Sequence, residues 1–200
     1  MKKKAAQKKA IICGSVAVVD KGKYYNRLFW VEPNGKVSTY NKRHLFRMAK
    51  EEQHYTMGSE KIITQIKDWN ICPQVCYDLR FPVWSRNNFK KETGIPKAEY
   101  DVLIYVANWP AVRSYPWKQL LIARAIENQC YVIGVNRIGK DGNGFDHSGD
   151  SMVINPRGEI ISKTNANEES IETIELEKTY LEEFRKQFPV GLDADDFKLT

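Results

Sequence analysis

Long apolar runs are missing from this chain: no stretch reaches the roughly 20 consecutive apolar residues that a membrane-spanning helix needs. No membrane partner is expected. Cysteine is scarce, with only Cys13, Cys72, Cys76 and Cys130. Their spacing contains no CxxC, no zinc pattern and no disulfide ladder. Each lies in or beside an apolar run, so three of the four read as core residues and a reducing cytoplasm is the expected compartment. The three histidines, His44, His54 and His147, are scattered, so neither a metal site nor a metal cofactor is expected. Repeats, low-complexity linkers and internal boundaries are also lacking, and 200 residues suit one domain. Carboxylates are sparse near the amino terminus: before Lys42 the only ones are Asp20 and Glu32.

Positive charge is in excess, but locally. Of the net +6, five charges come from Lys2, Lys3, Lys4, Lys8 and Lys9. The rest of the chain is near neutral, so this reads as a solvated helix face and no nucleic-acid partner is expected. Lysines followed by the apolar residues 10–19 imitate a secretion signal, yet the run ends in Asp20-Lys21 without a small-residue cleavage site. A polar helix end running into a buried strand fits better.

Strand-like apolar runs occupy residues 11–19, 25–31, 37–40, 62–66, 71–75, 102–107, 131–136, 151–155 and 171–175. Pro33-Asn34-Gly35-Lys36 and Asn155-Pro156-Arg157-Gly158 are hairpin turns between such runs. Helical spacing is predicted for residues 82–91, 117–128 and 177–187. Near-continuous apolar strands imply sheets covered by helices, and hairpins mixed with strand–helix–strand units imply a layered α/β fold.

Chemistry concentrates in two places. An apolar strand ends at Cys76 and is followed by Tyr77-Asp78-Leu79-Arg80-Phe81-Pro82, which opens a helix. A nucleophile on such a turn is presented at the sheet edge, beside free backbone N–H groups able to hold an oxyanion. A plain buried cysteine at a strand end is the commoner occurrence. Lys42 follows the strand of a hairpin; it is either solvated surface or the cation that a cysteine nucleophile needs to lower its thiol pKa. Asp78 and Arg80 are expected to pair and brace the turn. Arg124, Glu127 and Asn128 are expected to form a buried polar network.

The segments YNKRHLFR (40–47), VCYDLRFPVW (75–84), YVANWPAVRSYPW (105–117), ARAIENQCYVIGVNR (123–137) and GDSMVINPRGEII (149–161) resemble, in order and spacing, the carbon–nitrogen hydrolase (nitrilase) superfamily, its omega-amidase branch in particular. Five ordered motifs are far more specific than one. The resemblance implies an α-β-β-α sandwich without organic cofactor and a homodimer associating through residues 117–128 and 184–199. It also implies a small-molecule amide substrate, with ammonia released from small omega-amides of dicarboxylic (2-oxo) acids. It places the catalytic Cys on Cys76, the catalytic Lys on Lys42 and a further Glu on Glu51, with Glu52 as rival. The oxyanion is then held by Lys42 and the Tyr77 N–H. Trp109 would wall the pocket, and Arg113 would bind a substrate carboxylate or make a surface salt bridge. The family's first motif, a Glu after the opening strand, has no counterpart before Lys42. The expectation is a single domain, 1–200, lacking the family's first strand, first helix and second strand, and inactive as it stands. The alternative is a non-catalytic remnant or interaction protein. A thiol protease is disfavoured because no His neighbours Cys76 in sequence.

Overall fold

The computed structural model describes residues 1–90 and 97–197. In chain order the elements are helix α1 (Lys2–Lys8), strands β1 (Ile12–Asp20), β2 (Lys23–Val31), β3 (Val37–Asn41), β4 (Thr64–Ile66) and β5 (Trp69–Val75), then a 3-10 turn (Cys76–Arg80) and helix α2 (Pro82–Ser85). There follow β6 (Phe89–Lys90), β7 (Lys97–Ala98), β8 (Val102–Ala107), α3 (Ser114–Asn128), β9 (Tyr131–Asn136), β10 (Ile138–Lys140), β11 (Asp146–Ser148), β12 (Met152–Ile154) and α4 (Lys178–Gln187).

Two sheets carry the fold. One is the antiparallel meander β1-β2-β3. The other has the order β12-β9-β8-β5-β4, with β5, β8 and β9 parallel and antiparallel strands at both edges. The register aligns Ile71 with Val102 and Tyr131, and Cys72 with Leu103 and Val132. Because strand side chains alternate, the two rows face opposite ways. Cys72, Leu103 and Val132 pack with Trp117, Leu121 and Ala125 of α3. Ile71, Val102 and Tyr131 pack with Leu28, Trp30 and Tyr40 of the meander. The order of layers is therefore α3, five-stranded sheet, three-stranded sheet, with parallel strands buried on both faces as their composition demanded. Helix α3 lies so close to β9 that a Cβ on Gly134 would stand 2.5 Å from the Leu121 Cδ1.

The expected helix over 82–91 is cut short. Pro82 starts α2, but Arg86 turns to ψ 130° and Phe89–Lys90 is extended against Lys97–Ala98. The Asn87 side chain donates to the carbonyls of Tyr100 and Asn128 instead of facing solvent. Lys91 lies outside the described residues. The expected strand over 171–175 is also absent: these residues carry no regular structure, and no neighbouring strand pairs with them. A hairpin absent from the sequence reading, β10–β11, closes on Asp141-Gly142-Asn143-Gly144, a doubled turn signal.

Helix α4 is fixed by charge. Asp101, at the entrance to β8 and 4% exposed, meets Arg185 at 2.7 Å and Lys178 at 2.5 Å and accepts the Asn70 N–H at 3.0 Å. Burial alone would raise its carboxyl. Lys178, the Asn70 N–H and Arg185 outweigh that and hold it below the usual carboxylate value. A depressed carboxyl stabilises the fold above its unfolded value of roughly 4, and that stability is lost as pH falls through the folded value. Asp101→Asn is therefore expected to cost about 3 kcal/mol at pH 7, with a smaller deficit at pH 3. Urea unfolding at the two pH values measures both, and an equal deficit at each would contradict the charge argument.

Candidate active site

Cys76 is the residue at which β5 ends and the 3-10 turn begins, and it is held at φ 47°, a left-handed value that non-glycine residues seldom adopt. The left-handed turn sets the direction in which the thiol leaves the strand, as it does for the chain at other turns such as Lys21 and Gln129. Tyr77 follows at the start of the turn, where backbone N–H groups have no intrahelical partner. The Cys76 thiol donates to the Asn108 carbonyl at a long 3.9 Å.

Lys42 enters from the other sheet. It follows β3 directly and is 2% exposed, which excludes the solvated-surface reading. Its backbone is pinned from both sides, by its N–H to the Asn26 carbonyl and by the Gly58 N–H to its own carbonyl. The loop between Lys42 and Gly58 closes only because Gly58 has no side chain: a Cβ there would lie 2.1 Å from the Asn41 carbonyl oxygen. That loop brings Glu51 back, with Oε2 at 2.5 Å from Lys42 Nζ and 2.7 Å from the Phe46 N–H. Of the two rival glutamates, Glu51 is the one that meets Lys42. Glu52 has a buried Oε2 with no hydrogen-bond partner.

Asp78 ties the halves together, but not as expected. It is fully buried, and its Oδ1 accepts the His44 backbone N–H (2.9 Å) and bonds His44 Nδ1 (2.8 Å). Its Oδ2 accepts the Tyr40 hydroxyl (2.7 Å) and the Val75 N–H (3.1 Å). The expected Asp78–Arg80 pair does not form. Arg80 points outward and lies over the Trp109 ring, 5.3 Å from its centroid. The reason is competition: four donors already fill the carboxylate. The Arg124–Glu127–Asn128 network is present and also holds the turn, through an Arg124 guanidinium bond to the Leu79 carbonyl at 2.7 Å.

Around Cys76 stands an aromatic rim. Phe46 packs edge-on to Tyr77, and Tyr77 to Phe81, which is stacked on His44. Trp109 is buried, and its indole N–H donates to the Arg113 carbonyl at 2.7 Å. The Arg113 guanidinium lies over Phe46, 5.2 Å from the ring centroid. Among the described residues neither Arg80 nor Arg113 makes an ion pair; the salt-bridge alternative for Arg113 is not realised there. Sequence reasoning missed Phe46 and the outward face of Arg80; an aromatic five residues after the end of β3 was the available signal. Among the described residues no group of three His, Cys, Asp or Glu is arranged to hold a metal. Two surface grooves, about 580 Å³ beside β9 and β12 and about 370 Å³ beside β7, are not lined by Cys76, Lys42 or Glu51.

Burial pushes the Cys76 thiol up; the Lys42 charge pulls it down, and Glu51 and Asp78 push it up again. Lys42→Met should therefore move the pH profile of Cys76 alkylation to higher pH, and Glu51→Gln should move it to lower pH. Iodoacetamide labelling followed by peptide mass spectrometry reads both, and shifts in the same direction would refute this account.

Comparison with known proteins gives a consistent set of relatives. The family model described as carbon–nitrogen hydrolase matches residues 1–186. The chain is 51% identical over 199 residues to omega-amidase YafV of Escherichia coli (strain K12), an alignment covering 100% of this chain and 74% of that protein. It is 35% identical over 191 residues to 2-oxoglutaramate amidase of Bacillus subtilis (strain 168), covering 94% and 70%. Among solved structures, XC1258 from Xanthomonas campestris, a CN-hydrolase superfamily protein with an arsenic adduct in its active site, superposes with a TM-score of 0.95 at 44% identity, covering 100% of this chain and 74% of that one.

Proposed function

This chain belongs to the carbon–nitrogen hydrolase family, and from that premise we propose that it works as an omega-amidase, releasing ammonia from small dicarboxylic (2-oxo) acid monoamides through a thioester on Cys76. The observation that carries the reading is a lysine ammonium, 2% exposed and 2.5 Å from Glu51, whose charge acts on a cysteine strained at a strand end. The two named amidases among the relatives support the amide class. Arg80 and Arg113, seated on aromatic rings without ion pairs among the described residues, support an anionic substrate, and Trp109 supplies the wall between them.

The steps follow from the charges. The Cys76 sulfur bonds to the amide carbon as its proton passes to Glu51. The carbonyl oxygen becomes an oxyanion facing Lys42 and the Tyr77 N–H. The C–N bond breaks and nitrogen departs as ammonia with that proton. Water then attacks the thioester, the free acid leaves, and a proton returns to sulfur. The second half needs a carboxylate to activate water. Two carboxylates reach Cys76 with their charge: Asp78, filled by four donors, and Glu51, bound to Lys42 and the Phe46 N–H. Glu51, already bound by Lys42 and the Phe46 N–H, takes a proton from a thiol far more readily than from water, so hydrolysis of the thioester is the slower half.

The experiment is a burst measurement. With a 2-oxo acid monoamide, residues 1–200 should release about one ammonia per chain rapidly and then turn over slowly, with an acyl mass adduct on the Cys76 peptide. Cys76→Ala should abolish the burst, and Cys72→Ala should keep it. No burst and no adduct would favour the second reading, a non-catalytic interaction protein. Fast steady turnover would make Glu51 a sufficient base.

The same reading carries a cytoplasmic homodimer, with α3 and residues 184–197 as the face. Ile126, Phe188 and Phe197 are exposed there at 52%, 59% and 41%; Leu199, within the expected segment, lies outside the described residues. Light scattering at micromolar concentration should give twice the chain mass, and a monomer would remove this part.

A further inference from the structure

Asn136 is the last residue of β9, at the edge where the parallel strands end and beside Ala107 of β8. Its side-chain oxygen accepts the Trp109 N–H at 2.8 Å. Its side-chain nitrogen donates to the Trp109 carbonyl at 3.0 Å and to the Gly149 carbonyl at 2.8 Å. One amide thus reads both polar groups of a single loop residue and ties that loop to the next. The Asn136 backbone is itself held, its N–H donating to Ser151 Oγ at 2.9 Å and its carbonyl accepting from the same hydroxyl at 3.1 Å. From the far end, Ser114 donates to the Asp150 carboxylate at 2.8 Å, and Asp150 sits at a left-handed φ of 53°. Trp109 closes the chain by donating to the Arg113 carbonyl.

We infer that Asn136 is a positioning residue that sets the preference of this site for anionic amides, by fixing Trp109 and through it the Arg113 guanidinium. The inference rests on the proposed reading of Arg113 as the cation that meets the substrate carboxylate. Only an amide side chain fits the role. It needs one acceptor and two donors on a short stem. Aspartate lacks the donors and would set a negative charge against two carbonyls, and alanine supplies nothing. A guanidinium recognises a carboxylate through fixed fork geometry, so a small displacement of Arg113 loses charge selection before it loses reactivity at sulfur.

The test labels Cys76 and needs no turnover. The probes are 5-bromo-4-oxopentanoate, an alkylating ketone with a distal carboxylate, and its uncharged methyl ester; sulfur displaces bromide from either. The ratio of their labelling rates at the Cys76 peptide reports charge selection. The natural chain should label faster with the acid. Arg113→Ala should abolish that preference. Asn136→Ala should reduce the ratio about tenfold, chiefly by slowing the acid. In the Arg113→Ala background, Asn136→Ala should remove no further selectivity, because both act through one guanidinium. An unchanged ratio in Asn136→Ala, equal slowing of acid and ester, or additive losses in the double variant would overturn the inference while leaving the reading of Arg113 in place. An Arg113→Ala chain that keeps the preference would instead overturn the reading of Arg113 and the inference with it. Should Asn136→Ala fail to fold, Ser151→Ala loosens the Asn136 backbone alone; a reduced ratio there supports the role, and a natural ratio refutes it.

Discussion

Lys42 leaves one sheet and Cys76 leaves the other, so the site exists only while the two sheet ends are held in register. The Asp78 carboxylate does this. It accepts Tyr40 and His44 from the meander side and Val75 from its own strand end, inside the interface between the sheets. A carboxylate placed there without donors would be strongly destabilising. With four, it fixes both chain exits at once, and the Trp84 indole N–H bonded to the Tyr40 hydroxyl at 3.0 Å extends the lock into α2. Everything described around Cys76 presupposes this bond set. Arg80 is free to face outward because Asp78 is already satisfied.

Within that frame the charges oppose one another. A thiol crowded by protein resists ionisation, and Cys76 is shifted upward for that reason first. Lys42 offsets part of the shift, but Lys42 is tolerated in the interior only because Glu51 neutralises it, and Glu51 pushes the thiol back up. The balance of these influences favours the thiol form of Cys76 beside the Lys42–Glu51 pair. On the proposed reading, such a site becomes nucleophilic when a proton moves toward Glu51 as the sulfur attacks, and the ammonium then faces the oxygen where negative charge gathers.

The parallel strands and α3 were legible in sequence because burial on both faces leaves an unbroken apolar signal. Cys76 at a strand end and Lys42 after a hairpin strand were legible as positions, and the resemblance singled them out as candidate nucleophile and cation. The choice between Glu51 and Glu52 was not, since it depends on how a loop folds back to Gly58, a contact governed by one missing Cβ. The expected helix over 82–91 failed because a local period cannot see that Asn87 finds partners on Tyr100 and Asn128. The Asp78–Arg80 pairing failed likewise: sequence proximity suggested one donor, and the fold supplied four others from farther away.

On the proposed reading the sheet edge also separates selectivity from reactivity in this site. Cys76 is set by its own strand end and by Asp78, whereas Trp109 and Arg113 stand on the loop after β8, which a different set of groups holds. That loop is held by an uncharged amide, Asn136, and by the buried Asp150 carboxylate, which meets Lys118 at 2.8 Å and Ser114. Burial would raise Asp150, and Lys118, Ser148 and Ser114 together hold it below the usual carboxylate value. Two sets of polar locks therefore act on two sides of one nucleophile. One fixes the Cys76 sulfur and the Lys42 ammonium, and the other fixes the Arg113 guanidinium that the proposed reading turns toward the far end of the substrate. On that reading a change in the second set alters which amide is chosen without moving the atoms that break it.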